Sequence, residues 1–309
     1  MNDTRKAIDV AKEKVIENQS DIAVKWAEEC YTKSIVAYID VCGIRNLLMA
    51  NSNDFNAHKQ IYMKMDEIVH RCQTKEWIIA IEKLYGNFPV KYTILSDSIV
   101  LSVDASIHQA FDKMTMMTSL FITSLLELNP SRFMRGAITV GNLYHKNNTV
   151  FGPALVEAVS LEEKYAINFR CIMKKNHFDD VQIGTNNKLK PYFKLDDDGF
   201  YSLDYLFSFF NKIENASIRK DEGQVKAGLN ILFNTQSAVK NELNKPKKRI
   251  WNKGYFSNRR VRKKYIWMLK YFRDTWHIAL NYPDGEFVWL KDEYQKWKNR
   301  YGRNSSSKK

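Results

Sequence analysis

Between residues 34 and 173, short β-branched apolar runs bounded by Gly, Pro or Asp alternate with long segments free of both breakers, and this alternation decides the fold class. The run from Ser34 to Asp40, reading Ser-Ile-Val-Ala-Tyr-Ile-Asp, predicts a buried strand that ends on a carboxylate, with a turn at Gly43. Residues 56 to 86 predict a long helix closed near Gly86 and stopped by Pro89. Val90 to Val103 splits into two strand-like halves around Ser96-Asp97-Ser98, which predicts a hairpin because Asp and Ser favour turns. A helix over 107–129 follows. Then come a glycine-bounded strand from Met134 to Gly141, a polar tip from His145 to Asn148, a helix opened by Gly152-Pro153, and a strand from Phe169 to Met173.

The resulting order, β α β β α β (β) α β with an antiparallel hairpin in its middle, is an α+β arrangement with helices on one face of a sheet. Residues 4–30 predict an entry helix, so that 1–30 precede a catalytic unit over 31–185. Beyond it, 192–203 predict a small ribbon, 186–303 form a mainly helical basic extension, and the Ser/Lys tail 304–309 is disordered.

Composition excludes several classes. With 44% hydrophobic and 13% aromatic residues the chain has enough side-chain volume for a core and is not intrinsically disordered. Its longest apolar stretch, Met114 to Leu128, is shorter than the roughly 18 to 20 residues a membrane span needs. The first ten residues carry charges of both signs and no apolar core, so no secretory signal is expected and the expected compartment is the cytoplasm. Cys30, Cys42, Cys72 and Cys171 form no C-x-x-C pair and no zinc spacing, which predicts reduced thiols.

The formal charge of +13 suggests a polyanion partner until it is located. Residues 245–309 hold 19 Lys/Arg against 5 Asp/Glu, so the remainder of the chain is close to neutral. Within that segment Lys245 to Arg249 and Arg259 to Lys264 interleave with Trp251, Tyr255, Phe256, Tyr265 and Trp267, the mixture of a single-stranded nucleic-acid platform. The spacing of Tyr265, Met268, Tyr271, Phe272 and Trp276 fits better with a helix packed on the body, basic residues outward, and nucleic acid is not the expected partner.

Asp40 and Asp97 carry the chemistry. Each sits at the end of an apolar strand, where a carboxylate is costly unless it is paired, hydrogen-bonded or bound to a cation. If the strands are neighbours, the two repel unless a divalent ion neutralises them. The plainer reading, Asp40 capping the turn at Gly43 and Asp97 forming an Asx-turn, stands beside this one.

Four segments in order extend the pattern: Tyr38-Ile-Asp40-Val-Cys-Gly43, Leu95-Ser-Asp97-Ser98, Arg135-Gly-Ala-Ile-Thr-Val-Gly141, and Gly152-Pro-Ala-Leu-Val-Glu-Ala-Val-Ser-Leu-Glu162. Together, over residues 34–175 and with some echo in the later Lys264-Tyr-Ile-Trp, they resemble the class III nucleotidyl cyclase catalytic domain. The Arg-Gly-Ala-Ile and Gly-Pro-Ala-Leu-Val-Glu-Ala segments look most like the Pycsar branch, the bacterial anti-phage pyrimidine cyclases.

The resemblance implies a palm-type antiparallel sheet and two Mn²⁺ or Mg²⁺ ions held by Asp40, Asp97 and the Val41 carbonyl. The reaction it implies is cyclisation of UTP or CTP with release of pyrophosphate. It further implies phosphate contacts from Gly43, Ile44 and Arg45, catalytic or triphosphate roles for Arg135 and Arg170, and a homodimer whose product is read by a separate effector. Departures matter equally. The V-N-x-A-x-R helix of adenylyl and guanylyl cyclases is replaced by Leu155 to Ser160, so the Asn and Arg that stabilise the transition state are missing. The purine-selecting Lys and Asp are replaced by Thr93 and Thr149, which fits a pyrimidine without separating UTP from CTP. Tyr38, Tyr92 and Asn46 are further candidates for base contact. Glu157 and Glu162 lie five apart, off one helical stripe, and Glu162 is expected to serve as a cap or dimer contact. No Walker loop, H-E-x-x-H or G-x-S-x-G is present in the chain.

Overall fold

In a computed structural model of the chain, the described residues are 31–44, 48–49, 53–72, 82–83, 85–128, 131–182, 192–207, 221–244 and 254–280. The expected entry helix over 4–30 and the tail 304–309 lie outside them. Eight strands form one sheet: β1 (Thr32–Val41), β2 (Lys91–Leu95), β3 (Ser98–Asp104), β4 (Met134–Lys146), β5 (Thr149–Phe151), β6 (Cys171–Lys174), β7 (Phe193–Leu195) and β8 (Phe200–Leu203). Their order is β2-β3-β1-β4-β6-β8-β7, with β5 paired to β4. The helices are α1 (Phe55–Cys72), α2 (Ala110–Glu127), α3 (Pro153–Tyr165), α4 (Lys175–Gln182), α5 (Glu222–Asn244) and α6 (Gly254–Leu280).

The fold is α+β, as the alternation predicts, with two refinements. The β4–β6 pair is parallel, so the sheet is mixed. Helices also cover both faces instead of one, because β1 is buried on both sides. Ile35, Ala37 and Ile39 point into the main core with Met65 and Ile68 of α1 and Phe111, Met114 and Phe121 of α2. Val36, between them, points the other way and packs with Val100, Leu143 and Ala154 of α3. The basic extension shares the main core: Leu229 and Leu232 of α5 and Met268 and Phe272 of α6 are buried in it, and β7–β8 lengthen the sheet. The packed face expected for the Tyr265–Phe272 stretch is therefore observed, while Lys245–Trp251 lies outside the described residues.

One prediction from sequence is corrected. His145 is not at a polar tip: β4 continues to Lys146, and the turn falls at Asn147-Asn148, where Asn147 takes φ 53°. His145 is instead buried between two hydroxyls, with Thr93 Oγ1 2.9 Å from Nε2 and Ser102 Oγ 2.7 Å from Nδ1. Burial first, and then the Lys91 ammonium, push its pKa down to about 4. The neutral ring is the one the fold prefers. Its contribution is therefore complete above the unfolded pKa near 6.5 and is lost as pH falls from there towards 4. Urea unfolding at pH 7 and pH 4.5 should show a loss of roughly 2 kcal/mol from this ring. In His145→Gln that part of the acid sensitivity should disappear; an unchanged pH slope would refute the assignment.

Candidate active site

The central strands bring the two aspartates to one end of the sheet. Asp40 stands opposite Ser98 on β3 and opposite Arg135 on β4, and Asp97 occupies the β2–β3 turn immediately before Ser98. The backbone joins them, since the Val41 N–H donates to the Asp97 carbonyl at 2.9 Å and the Cys42 N–H donates to the Phe133 carbonyl at 2.9 Å. Tyr38, two residues before Asp40 and on the same face, shares a 2.7 Å hydrogen bond with Ser98 Oγ. Gly43 follows with φ 91°, and Ile44 opens the next helical turn as a buried residue. Arg45 and Asn46 lie outside the described residues.

Arg135 is the cation at the centre of this cluster. Its Nη2 donates to Asp40 Oδ2 at 3.1 Å and lies 2.7 Å from Glu162 Oε1, an ion-pair contact without hydrogen-bond alignment. Its Nε is buried with no hydrogen-bond partner. Burial raises the Asp40 pKa against the opposing pull of Arg135. Burial likewise lifts Glu162 to about 7, although Arg135 opposes it. Glu162 is 2% exposed, so the expectation of a dimer contact is corrected: α3 turns it inward, onto the sheet, to face Arg135.

Arg170 is placed elsewhere. It precedes β6, is itself buried, and is clamped by Asp196 and Asp198 of the β7–β8 turn, with Nη2 also donating to the Tyr165 carbonyl at 3.1 Å. It therefore does not lie on an exposed strand end, the plainer expectation for it. Together with Asp196, Asp198, Trp267 and Tyr271 it lines a cavity of about 370 Å³ between that turn and α6. Thr93 is buried with its hydroxyl on His145, while Tyr92 and Thr149 are exposed on β2 and β5. Glu157 turns outward from α3 to Lys174, at 2.6 Å, and His177, at 3.2 Å.

The Asp40 and Asp97 carboxylates and the Val41 carbonyl offer oxygen donors only, the chemistry that would suit Mg²⁺ or Mn²⁺. Among the described residues no group of three or more His, Cys, Asp or Glu side chains converges to hold an ion, so a backbone carbonyl is needed to complete such a set.

One further charge comes from outside residues 34–175: Lys264 of α6, in the Lys264-Tyr-Ile-Trp segment, interacts electrostatically with Arg135, Glu162 and Asp40. The Asp196–Arg170–Asp198 clamp had no signal at all, because its members lie 26 and 28 residues apart.

No protein-family model matches this sequence, and no curated protein matches it. Among solved structures, the chain is similar to the catalytic core of a rhodopsin-guanylyl cyclase with converted specificity in complex with ATPαS. The identity is 15%, over 56% of this chain and 95% of that one, with a TM-score of 0.35. A bacterial light-regulated adenylyl cyclase aligns at 12% identity over 57% of this chain and 91% of that one, TM-score 0.36. A class III adenylyl cyclase-like ATP-binding protein from Pseudomonas aeruginosa aligns at 10% identity over 57% and 39%, TM-score 0.37. Among the described residues no helix is long and apolar enough to cross a membrane.

Proposed function

We propose that this protein is a pyrimidine nucleotide cyclase, converting UTP or CTP to the 3′,5′-cyclic nucleotide and pyrophosphate. The observation that carries this reading is the juxtaposition of Asp40 and Asp97 at the ends of adjacent central strands, locked by the Val41 N–H to Asp97 carbonyl bond. In the reaction the ribose 3′-hydroxyl attacks the α-phosphorus, the bond to the bridging oxygen breaks, and pyrophosphate leaves with the proton passed to solvent. Two divalent ions held by Asp40, Asp97 and the Val41 carbonyl would supply hydroxyl activation and charge neutralisation. Arg135 holds the Asp40 carboxylate in position, and Glu162 holds Arg135. Phosphate contacts from Gly43, Ile44 and Arg45 belong to this reading, with Ile44 opening a helical turn. Arg170, tied to two carboxylates, serves the reaction by fixing the β7–β8 turn.

Base selection in this reading lies with Tyr92, Thr93 and Thr149 on the β2 and β5 side. The Thr93 hydroxyl is buried and bonded to His145, while Tyr92 and Thr149 are the exposed members of this set. A homodimer is part of the proposal: α3 and the residues beyond it expose Val156, Tyr165 and Ile167, Val156 at 69%, a surface suited to a second copy. The product would serve as a cytoplasmic second messenger in anti-phage defence, read by a separate cyclic-nucleotide-binding effector.

The experiment is to incubate the protein separately with ATP, GTP, CTP and UTP in Mn²⁺ or Mg²⁺, and to follow product by mass spectrometry. A cyclic pyrimidine is the expected product. Cyclic purine alone would overturn the base assignment, and no product with intact nucleotide binding would favour a silent nucleotide-binding regulator. That second reading draws on one observation, the engagement of both candidate arginines by carboxylates.

A further inference from the structure

No step of the proposed reaction passes through the cavity of about 370 Å³ between the β7–β8 turn and α6. One wall is a single face of α6, on which Trp267, Tyr271 and Asp274 recur at helical spacing. Trp267 stacks on Tyr271, with ring centroids 5.2 Å apart and planes 30° apart. The other wall is the β7–β8 ribbon. Its turn is fixed by Arg170 between Asp196 and Asp198, by the Ser202 hydroxyl on Asp196, and by the 2.9 Å bond from the Asp196 N–H to the Phe200 carbonyl.

Both walls are anchored before any ligand arrives. Met268 and Phe272, on the inner side of α6, are buried in the main core, and Leu203 of β8 joins them there. The Tyr271 hydroxyl ties helix to ribbon, donating to Asp204 Oδ1 at 2.6 Å and accepting from the Leu206 N–H at 3.2 Å. A preformed site of this kind loses little contact energy to ordering.

The charge of the cavity sets the sign of its ligand. Its lining carries five aspartates against Arg170 and two exposed lysines, Lys194 and Lys270. Arg170 is already engaged by two of those carboxylates, so an entering anion would meet net negative charge. Asp204 accepts from the Tyr271 hydroxyl and the Phe207 N–H on Oδ1, and Asp274 accepts both of its Arg273 bonds on Oδ1. Among the described residues neither Oδ2 receives a hydrogen bond. Burial raises the Asp204 pKa, with Tyr271 opposing, so a cation brought beside it favours the charged form. Among the described residues no group of His, Cys, Asp or Glu converges to hold a metal ion. The aromatic wall therefore decides the kind of cation, since an organic ammonium or guanidinium gains from a ring face as well as from carboxylates.

We propose that this cavity is a binding site for a small organic cation, an aliphatic amine or guanidinium compound whose stem lies on Trp267 and whose charge meets Asp204 and Asp274. The site uses neither Asp40 nor Asp97 and holds whether or not the chain cyclises a nucleotide.

The test is calorimetric titration of the full chain with spermidine, at an ionic strength held constant with sodium chloride. Saturable binding by wild type is expected. Asp204→Asn keeps an acceptor for the Tyr271 and Phe207 bonds and should weaken binding about tenfold. Trp267→Leu should weaken it about fivefold through loss of the ring, and Asp274→Asn about threefold. Asp179→Asn removes the same charge from an exposed position on α4 and should stay within about twofold of wild type. Should Asp204→Asn fail to fold, Trp267→Leu and Asp274→Asn carry the comparison. Absence of saturable binding by wild type overturns the proposal, as do equal affinities in the cavity variants and Asp179→Asn. Complete displacement of spermidine by magnesium chloride at the same ionic strength would mark diffuse surface attraction and overturn it as well.

Discussion

In the proposed reaction, cyclic product should fall by about a thousandfold in Asp97→Asn, while the protein should fold as wild type. The substitution keeps a turn-forming side chain in the β2–β3 turn, so the strand pairing that places residue 97 is preserved. The backbone bond from Val41 to residue 97 uses the carbonyl and is untouched. What is lost is one anionic oxygen donor, on which ion binding at this strand end would depend in the proposed reaction. Asp40→Asn should abolish turnover equally but differ in stability. Asp40 is a hydrogen-bonded partner of the half-buried Arg135, whose Nε already lacks one, and weakening that pair should cost roughly 1 to 3 kcal/mol. Turnover and urea midpoints measured on both variants separate the two effects. Full activity in Asp97→Asn would remove the observation on which the proposed reaction stands.

Gly152→Ala should be among the most destabilising single-methyl additions in the chain, costing about 3 kcal/mol or more. Gly152 joins β5 to α3 with φ 141° and ψ 168°, a region that side-chain-bearing residues rarely enter. An added Cβ would lie 2.7 Å from the Asn142 carbonyl oxygen and 3.1 Å from Leu143 Cα, both backbone atoms of the adjacent β4. Relief would require moving the start of α3, whose first turn bonds back to the Gly152 carbonyl through Leu155 and Val156. Gly43→Ala provides the contrast. Its φ is 91°, yet no atom of the described residues lies within 4 Å of an ideal Cβ, so strain alone should cost about 1 kcal/mol. Equilibrium unfolding of both variants gives the comparison, and equal losses would refute the steric account.

The strands were legible because their information is local. Val36, Ile39, Ile99, Val100 and Ile138 are β-branched residues in short runs bounded by turn formers, and the runs that contain them form β1, β3 and β4. The hairpin around Asp97 and the start of α3 at Pro153 followed from residues within a few positions of each feature. His145 misled because polar neighbours mark a turn only approximately. Thirteen residues of β4 carry the chain past it, and its partners Thr93 and Ser102 lie 52 and 43 residues away. The second helical layer was hidden for a related reason, since strand patterning records burial on both faces of β1 without recording which helices cover each.

What the sequence by itself determined is therefore the order of strands and helices between residues 34 and 173, and the two aspartates placed at costly strand ends. The tertiary structure alone decided which charges meet: Arg135 with Asp40 and Glu162, Arg170 with Asp196 and Asp198, and Lys264 brought by α6 to the end of the sheet. Backbone propensity depends on neighbours a few residues away, whereas Coulombic pairing depends on distance in space. Between residues as far apart as Asp40 and Lys264, that distance is fixed only when strand order and aromatic packing close the intervening chain.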